Sequence, residues 1–568
     1  MIDSSSIDNI RELFKTKKYN KVINLTKKLL HREDTPSWLL NIVGLSKNFQ
    51  SKKTNADILS SLTLFERAFL NEKENLNGLE GLSNLIATTL IQLNNKTLRK
   101  EALEYMKLSE KYYLSSEKFF ENNLKFLIIG SNLFYHLLDL DKEINILKKL
   151  LHSDLKSKSN TVSRYLFIQN YSKSWTQKDH YQNADQLNDL YKKLDVLSLD
   201  KINFIQNKKI KIGLVSKDLY KNNSLSFFVS SILQYIDKDL FELNVYSFAV
   251  KDNLDSKKNV SKWYNLKNIN NQEVAKLIQS DKVQILIDLM GHTAGDRIEL
   301  FNSRLCPIQV SWLGYCNTLG FKNVDYLIAD QNLIFKDEEK YYFEKIIKLP
   351  NIWNCHSGFR HNRSFNTSPC IHNQKICFGS FNNFKKISDE TIEVWSKILK
   401  LKKNSKLILK SSLEVGTHNL LNKFKKYGVD QQIEILHRSE YDDLNHHLEL
   451  YENIDIVLDT FPYNGVTTTF EALWKGVPVI TMYGYNFNSR CGSSILKNAN
   501  LEYLIAADEQ DYVNKVLSLS ENFENLNKLR KKIFDEILVS PLFDNHIFAK
   551  HFYGHLLKVY NKYFQDLE

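Results

Sequence analysis

Apolar residues recur at helical spacing through the first quarter of the chain. Ile7, Ile10, Leu13 and Phe14 form one stripe, and Tyr19, Val22, Ile23, Leu29 and Leu30 form a second, with a short KTKK turn between them. Intervals of three and four residues place such positions on one helix face. Gly44, Phe65 and Ala68 suit the small and aromatic positions of a tetratricopeptide unit with a few residues inserted, although the period of about 34 residues is not cleanly kept. The pattern predicts two or three helix pairs before Asp154. Degenerate repeats and a plain helical domain both satisfy it.

A helical collar is expected next, with elements over Tyr165 to Tyr171 and Tyr181 to Leu194. From Lys209 the period changes. KIGLVS (211–216) predicts a strand, Ser226 to Ile236 a helix and FELNVYSFA (241–249) another strand. VQILIDLM (283–290), Ile308 to Leu313 and VDYLIAD (324–330) continue the alternation. After a polar stretch over Ser364 to Ser368, a second set runs through ICFGSF (376–381), KLILKS (406–411), IEIL (433–436), IDIVLD (454–459) and VITM (479–482). Strands alternating with helices build parallel α/β sheets. The predicted organisation is a helical, TPR-like part over 1–155, a collar over 156–208, and Rossmann-like domains over 209–365 and 366–568, the last closed by a C-terminal helix.

Composition narrows the class. With 43% hydrophobic residues and 12% aromatics, the chain can bury sizeable cores and is not a disordered protein. The net charge of +11 comes from scattered lysines, such as Lys17-Lys18, Lys27-Lys28 and Lys148-Lys149, so no nucleic-acid partner is expected. The six cysteines, at 306, 316, 355, 370, 377 and 491, show no CxxC spacing, which suits reduced thiols in a cytoplasm. MIDSSSIDNIRELF lacks a signal-peptide core. No run approaches the ~20 apolar residues of a membrane span.

The most informative stretch is LDTFPYNGVTTTFEALWKGVPVITM (458–482), a strand ending at Asp459, a loop, a helix from Thr467 to Lys475 and a further strand. Free N–H groups and the positive dipole end make a helix start an anion site. Thr467 and Thr468 add hydroxyl donors, and Glu471 lies on the same face as Thr467, where a carboxylate can accept from ribose hydroxyls.

This stretch resembles the nucleotide-binding segment of the protein O-GlcNAc transferases, glycosyltransferase family 41, in which a PxNGxTT-like sequence holds UDP. IDLMGHTAGDR (287–297), CPIQVSWLGYCNTLGFKNVDYLIAD (306–330), FGSFNNFKKIS (378–388), SRCGSSIL (489–496) and the tail SPLFDNHIFAKHFYGHLLKVY (540–560) resemble the same family in the same order. The resemblance implies a GT-B catalytic region of two facing Rossmann-like domains. It also implies metal-independent, inverting transfer from a UDP-sugar, with no cofactor, to Ser/Thr of a protein or peptide acceptor presented by the helical N-terminus. Asp139-Leu140-Asp141, the only metal-type pair noted, falls in the helical part and reads as a surface or capping pair.

The resemblance also implies site residues. Lys386, Thr467 and Thr468 would hold the diphosphate, Asn464 and Gly465 would belong to the same UDP-sugar site, Asn383 would lie near the sugar nucleotide, Glu471 would take the ribose and His447 the base, with His446 as its rival. In the first α/β domain His292, after the strand end at Met290, and Asp281, at a strand start, would lie near the reacting centre. Three departures stand out. Asn223 occupies a loop where the family carries histidine, and an amide is no general base. GYCNTLG (314–320) replaces GYPGTTG-like text, and Val466 stands where animal enzymes carry His. Transfer of glucose to asparagine and a catalytically weak, UDP-binding scaffold remain as alternatives.

Overall fold

A computed structural model describes residues 4–93, 95, 97–154, 159–193, 209–251, 253–293, 295, 297–359, 363–411, 415–437 and 444–566. The chain forms two compact units, Met1–Leu155 with Leu413–Asn419, and Lys156–Ser412 with Leu420–Glu568. Among the described residues no helix is long and apolar enough to cross a membrane.

The first unit contains eight helices between Ser4 and Leu151, more than the two or three pairs expected. Asn- and Lys-rich faces hid the later pairs, because their apolar stripes are interrupted by residues that pack only through their stems. Caps mark the boundaries. Thr54 and Asp57 form a reciprocal capping box, and Asn75, Asn123 and Asp139 each accept a first-turn N–H. Asp139 is thus a capping residue, as expected. Gly44 lies against the Phe65 ring, so closely that a Cβ would come within 2.4 Å of it. The small and aromatic pair read from the sequence therefore forms a helix–helix contact.

The second unit begins with helix Ser159–Ile168, the single turn Gln169–Tyr171 and helix Gln177–Lys193. The expected collar end at Leu194 and the boundary at 208 lie outside the described residues. Two parallel sheets follow. The first contains β1 (Ile210–Ser216), β2 (Phe241–Ser247), β3 (Lys262–Asn265), β4 (Ile285–Asp288), β5 (Ile308–Ser311), β6 (Tyr326–Asp330) and β7 (Lys345–Leu349), in the order 3-2-1-4-5-6-7. The second contains β8 (Ile376–Ser380), β9 (Ser405–Ser411), β10 (Ile433–His437), β11 (Ile456–Leu458), β12 (Val479–Met482) and β13 (Ile505–Ala506), in the order 10-9-8-11-12-13. Ile212 in β1 faces Leu243 in β2 and Ile285 in β4. Central strands such as β4, β8 and β11 are buried along their length, which is why they read as continuous apolar runs. β3, β7 and β13 escaped the sequence reading because they are short or half-exposed strands at sheet edges.

Both sheets reverse direction at their centre, between β1 and β4 and between β8 and β11. Such switch points place ligand-binding loops at the carboxyl ends of the strands. The collar ties the two sheets together through buried amides. The Asn170 side-chain oxygen accepts from Asn317 at 2.9 Å and from Asn488 at 2.6 Å, and Gln177 bonds Asn317 at 2.9 Å and Asn486 at 3.1 Å. The last helix, Asn545–Gln565, crosses back to the first sheet. Tyr553 donates to the Ile232 carbonyl at 3.0 Å, and Phe552 packs on Trp312 at 4.6 Å. The expected split at 365/366 therefore divides the sheets but not this helix.

Trp312 is fully buried and donates to the Trp353 carbonyl at 2.9 Å. Trp312→Ala should cost about 3–5 kcal/mol, read as a lower urea midpoint, with faster amide exchange in the last helix.

Candidate active site

Loops from both switch points surround one cleft of about 370 Å³. Asp218 and Asn223 come from the segment after β1, Thr293 from that after β4, and Gly314 and Cys316 from that after β5. Asn382, Asn383 and Lys386 follow β8, while Tyr463, Val466, Thr467 and Thr468 follow β11.

The loop after β11 is folded around the buried Asp459 carboxylate. Its Oδ1 accepts from the Thr460 N–H (2.9 Å), the Gly465 N–H (2.7 Å) and the Asn382 amide (3.2 Å), and its Oδ2 accepts from the Thr481 hydroxyl (2.7 Å). Gly465 has no room for a side chain, since a Cβ would lie 2.5 Å from Thr468 Oγ1 and 2.9 Å from Asn382 Oδ1. Asn382 also accepts from the Thr468 hydroxyl at 2.9 Å, joining the loops after β8 and β11. The helix Thr467–Trp474 starts from Val466, whose side chain provides no cap. That helix start retains donors for an anion.

Lys386 is held beside this start. Its Nζ donates to the Asn464 carbonyl at 2.8 Å and sits 4.0 Å from the Tyr463 ring centroid. Tyr463 in turn stacks on Tyr171 of the collar at 5.4 Å. Burial lowers the Lys386 pKa, against an opposing pull from Asp459. The Asn464 side chain points away, bonding the Thr460 carbonyl and the Gly492 N–H, so only its backbone meets the lysine. Asn383 turns back to accept from the Lys385 N–H. Beside the cleft, Lys410 donates to His447 Nδ1 at 3.0 Å, which leaves Nε2–H to donate to Glu471 Oε2 at 3.0 Å. Tyr451 donates to the same oxygen at 2.9 Å. His446 is exposed. Of the two rivals, His447 is the one bonded to Glu471.

Residues 177–364 and 364–552 both match the model of glycosyl transferase family 41. The chain belongs to this family. It is 33% identical over 360 residues to a tomato (Solanum lycopersicum) protein described as a probable UDP-N-acetylglucosamine–peptide N-acetylglucosaminyltransferase SPINDLY, covering 61% of this chain and 38% of that one. An Arabidopsis thaliana relative described as the corresponding enzyme SEC is 29% identical over 371 residues, covering 62% and 37%. The match thus spans well under half the length of these relatives. Among solved structures, a mutant O-GlcNAc transferase of Thermobaculum terrenum superposes with a TM-score of 0.76 at 22% identity, covering 94% of this chain and 99% of that one. The likeness confirms the GT-B fold.

Within this family-41 framework, two residues expected near the reacting centre lie elsewhere. Asp281 does not start a strand. It is the C-cap of helix Asn271–Ser280, at the amino-terminal edge of the first sheet, opposite the cleft. Lys262, Tyr246 and Tyr264 donate to its carboxylate at 2.6, 2.8 and 3.1 Å, and these bonds outweigh desolvation and lower its pKa. His292 is buried away from the cleft. Its Nδ1 meets the Ser163 hydroxyl at 3.0 Å and its Nε2 the Leu319 carbonyl at 2.9 Å, so neither nitrogen is open to substrate, and burial lowers its pKa to about 4. Gly291 before it has φ +55° and packs on Tyr315, turning His292 inward while Thr293 reaches the cleft wall. Asn223 caps helix Ser224–Gln234 by accepting from the Leu225 N–H at 2.9 Å, yet lines the cleft.

Asp459, Asn382, Tyr463 and Asp218 were not singled out from the sequence. Asp459 was legible only as a strand end, and the Asn382-Asn383 pair gave no sign of which amide bridges the loops.

Burial raises the Asp459 pKa from 3.8 to about 6, while the bonds from Gly465, Thr481 and Thr460 and the nearby Lys386 charge oppose the rise. The folded state binds this proton more tightly than the unfolded chain, so its stabilising contribution is full below about pH 4 and lost as pH rises through about 6. Compared with Asp459→Asn, the wild type should lose roughly 2–3 kcal/mol of stability between about pH 4 and pH 7, measured by urea unfolding of both proteins across that range.

Proposed function

We propose that the protein is an inverting glycosyltransferase moving a sugar, GlcNAc or a related hexose, from a UDP-sugar to Ser or Thr of a polypeptide. The observation that carries this reading is the convergence of Lys386 with an uncapped, hydroxyl-rich helix start at the switch point of the second sheet. The leaving diphosphate gains charge as the bond to the sugar C1 breaks, and preorganised donors lower that barrier most. Lys386, the N–H groups of the helix start and the Thr467 hydroxyl supply them, while the Thr468 hydroxyl, donated to Asn382, holds the turn in place. Glu471 takes the ribose hydroxyls through the oxygen not bound by His447 and Tyr451, and the His447 ring meets the uracil. The acceptor hydroxyl enters from the first-domain side, near Asn223 and Thr293. The helical first unit provides a polypeptide-binding surface, as stacked helix pairs do. Six buried, free thiols suit a reducing compartment such as the cytoplasm.

A second reading, a protein that binds UDP without turnover, is favoured by the amide at Asn223 and the fully bonded His292 ring.

Titration with UDP, UDP-GlcNAc and UDP-glucose, followed by UDP release with and without a peptide mixture, separates the readings. Peptide-dependent release should fall at least about 10²-fold in Lys386→Ala. UDP-sugar binding with no release under any condition would establish the non-catalytic reading, and absence of binding would remove both. His447→Ala should weaken UDP binding about tenfold while preserving the preference among sugars.

A further inference from the structure

Inverting transfer to a hydroxyl needs a proton acceptor on the acceptor side, and no first-domain residue predicted from the sequence supplies one in the cleft. Both His292 nitrogens are bonded, Asp281 lies at the far edge of the sheet, and Asn223 is an amide. Among the described residues that line the cleft, Asp218 is the one carboxylate. It follows Ser216, the last residue of β1, by two positions, at the switch point of the first sheet.

The backbone of Asp218 is fixed from both sides. Its N–H donates to Ser216 Oγ at 3.0 Å, and its carbonyl accepts from Ser226 Oγ at 3.0 Å. Its carboxylate, by contrast, takes no hydrogen bond from any described residue. The cleft's structural acid differs in this respect, since Asp459 receives four donors. A carboxylate that faces a cleft with no protein donor on it is free to take the proton of a bound hydroxyl. Burial raises the Asp218 pKa and Lys217 opposes the rise, which strengthens the carboxylate as a base. The titratable groups facing the same cleft from the other walls are Cys316, Tyr463 and Lys386.

We propose that Asp218 is the catalytic base of the transfer. This rests on the glycosyltransferase reading above. The acceptor hydroxyl gives its proton to the Asp218 carboxylate as its oxygen bonds to the sugar C1. The bond from C1 to the β-phosphate oxygen breaks with its electron pair, leaving UDP and the protonated acid, which returns its proton to solvent.

The test compares wild type, Asp218→Asn and Asp218→Glu for UDP-sugar affinity, kcat, KM and the pH dependence of kcat/KM. Asp218→Asn should lower kcat about 10²–10⁴-fold and leave the UDP-sugar Kd and the melting temperature unchanged. The acidic limb of the wild-type pH profile should vanish with it, and Asp218→Glu should recover part of kcat and restore that limb. A charge-retaining Glu variant that binds UDP-sugar normally but lacks both recoveries would overturn the assignment, as would wild-type kcat in Asp218→Asn. A wild type that binds UDP-sugar without turnover, or does not bind it, would overturn the transferase reading itself and this inference with it.

Discussion

A carboxylate sealed inside a protein must be given donors, and at Asp459 this requirement organises the second-sheet side of the cleft. Two of its four donors are backbone N–H groups of the loop it belongs to, so the loop between β11 and the next helix curls around its own first residue. The other two come from β12 and from the segment after β8. Removing the carboxyl group would take this partner from the Gly465 N–H and from the Asn382 amide. The tight approach of Gly465 to Thr468 and Asn382 then has nothing to hold it, and Lys386 loses the nearby charge that favours its ammonium form.

From that centre the site extends outward through rigid groups. Asn382 transmits the position of one loop to the other, and Tyr463 supports the lysine from below. On the opposite wall the first sheet contributes its own switch-point loops, so the cleft is bounded by equivalent positions of two sheets with the same strand order. The collar amides Asn170 and Gln177 bond both sheets at once, and the last helix returns to the first sheet. The chain thus crosses between the two α/β domains more than once.

Much of this was legible in the sequence. Continuous apolar runs located every central strand, and a strand–loop–threonine–helix pattern located the turn between β11 and the helix Thr467–Trp474, because both follow from local chemistry. Edge strands β3, β7 and β13 were not, since burial on one side or a length of two to five residues erases the period. The number of N-terminal helices was undercounted for a related reason, as polar faces dilute the stripe. Of the residues that motif position pointed to, Lys386, Thr467 and Thr468 line the cleft, whereas Asp281 and His292 do not. Being near a strand end in sequence does not fix which way a side chain turns, and the positive φ of Gly291 sends the histidine into the core. Asp218 carried no motif at all. Its role emerges only from what shares its cavity and from the donors it lacks.

The stacking of Tyr463 on Tyr171 bears on where the chain can be cut. By sheet boundaries alone, the shortest catalytic fragment would begin just before β1. Such a fragment would strip the ring supporting Tyr463, uncover the face behind the lysine, and leave Asn317, Asn486 and Asn488 facing solvent instead of the collar amides. The collar therefore backs one wall of the cleft, and the smallest piece of the chain that keeps this backing starts with it.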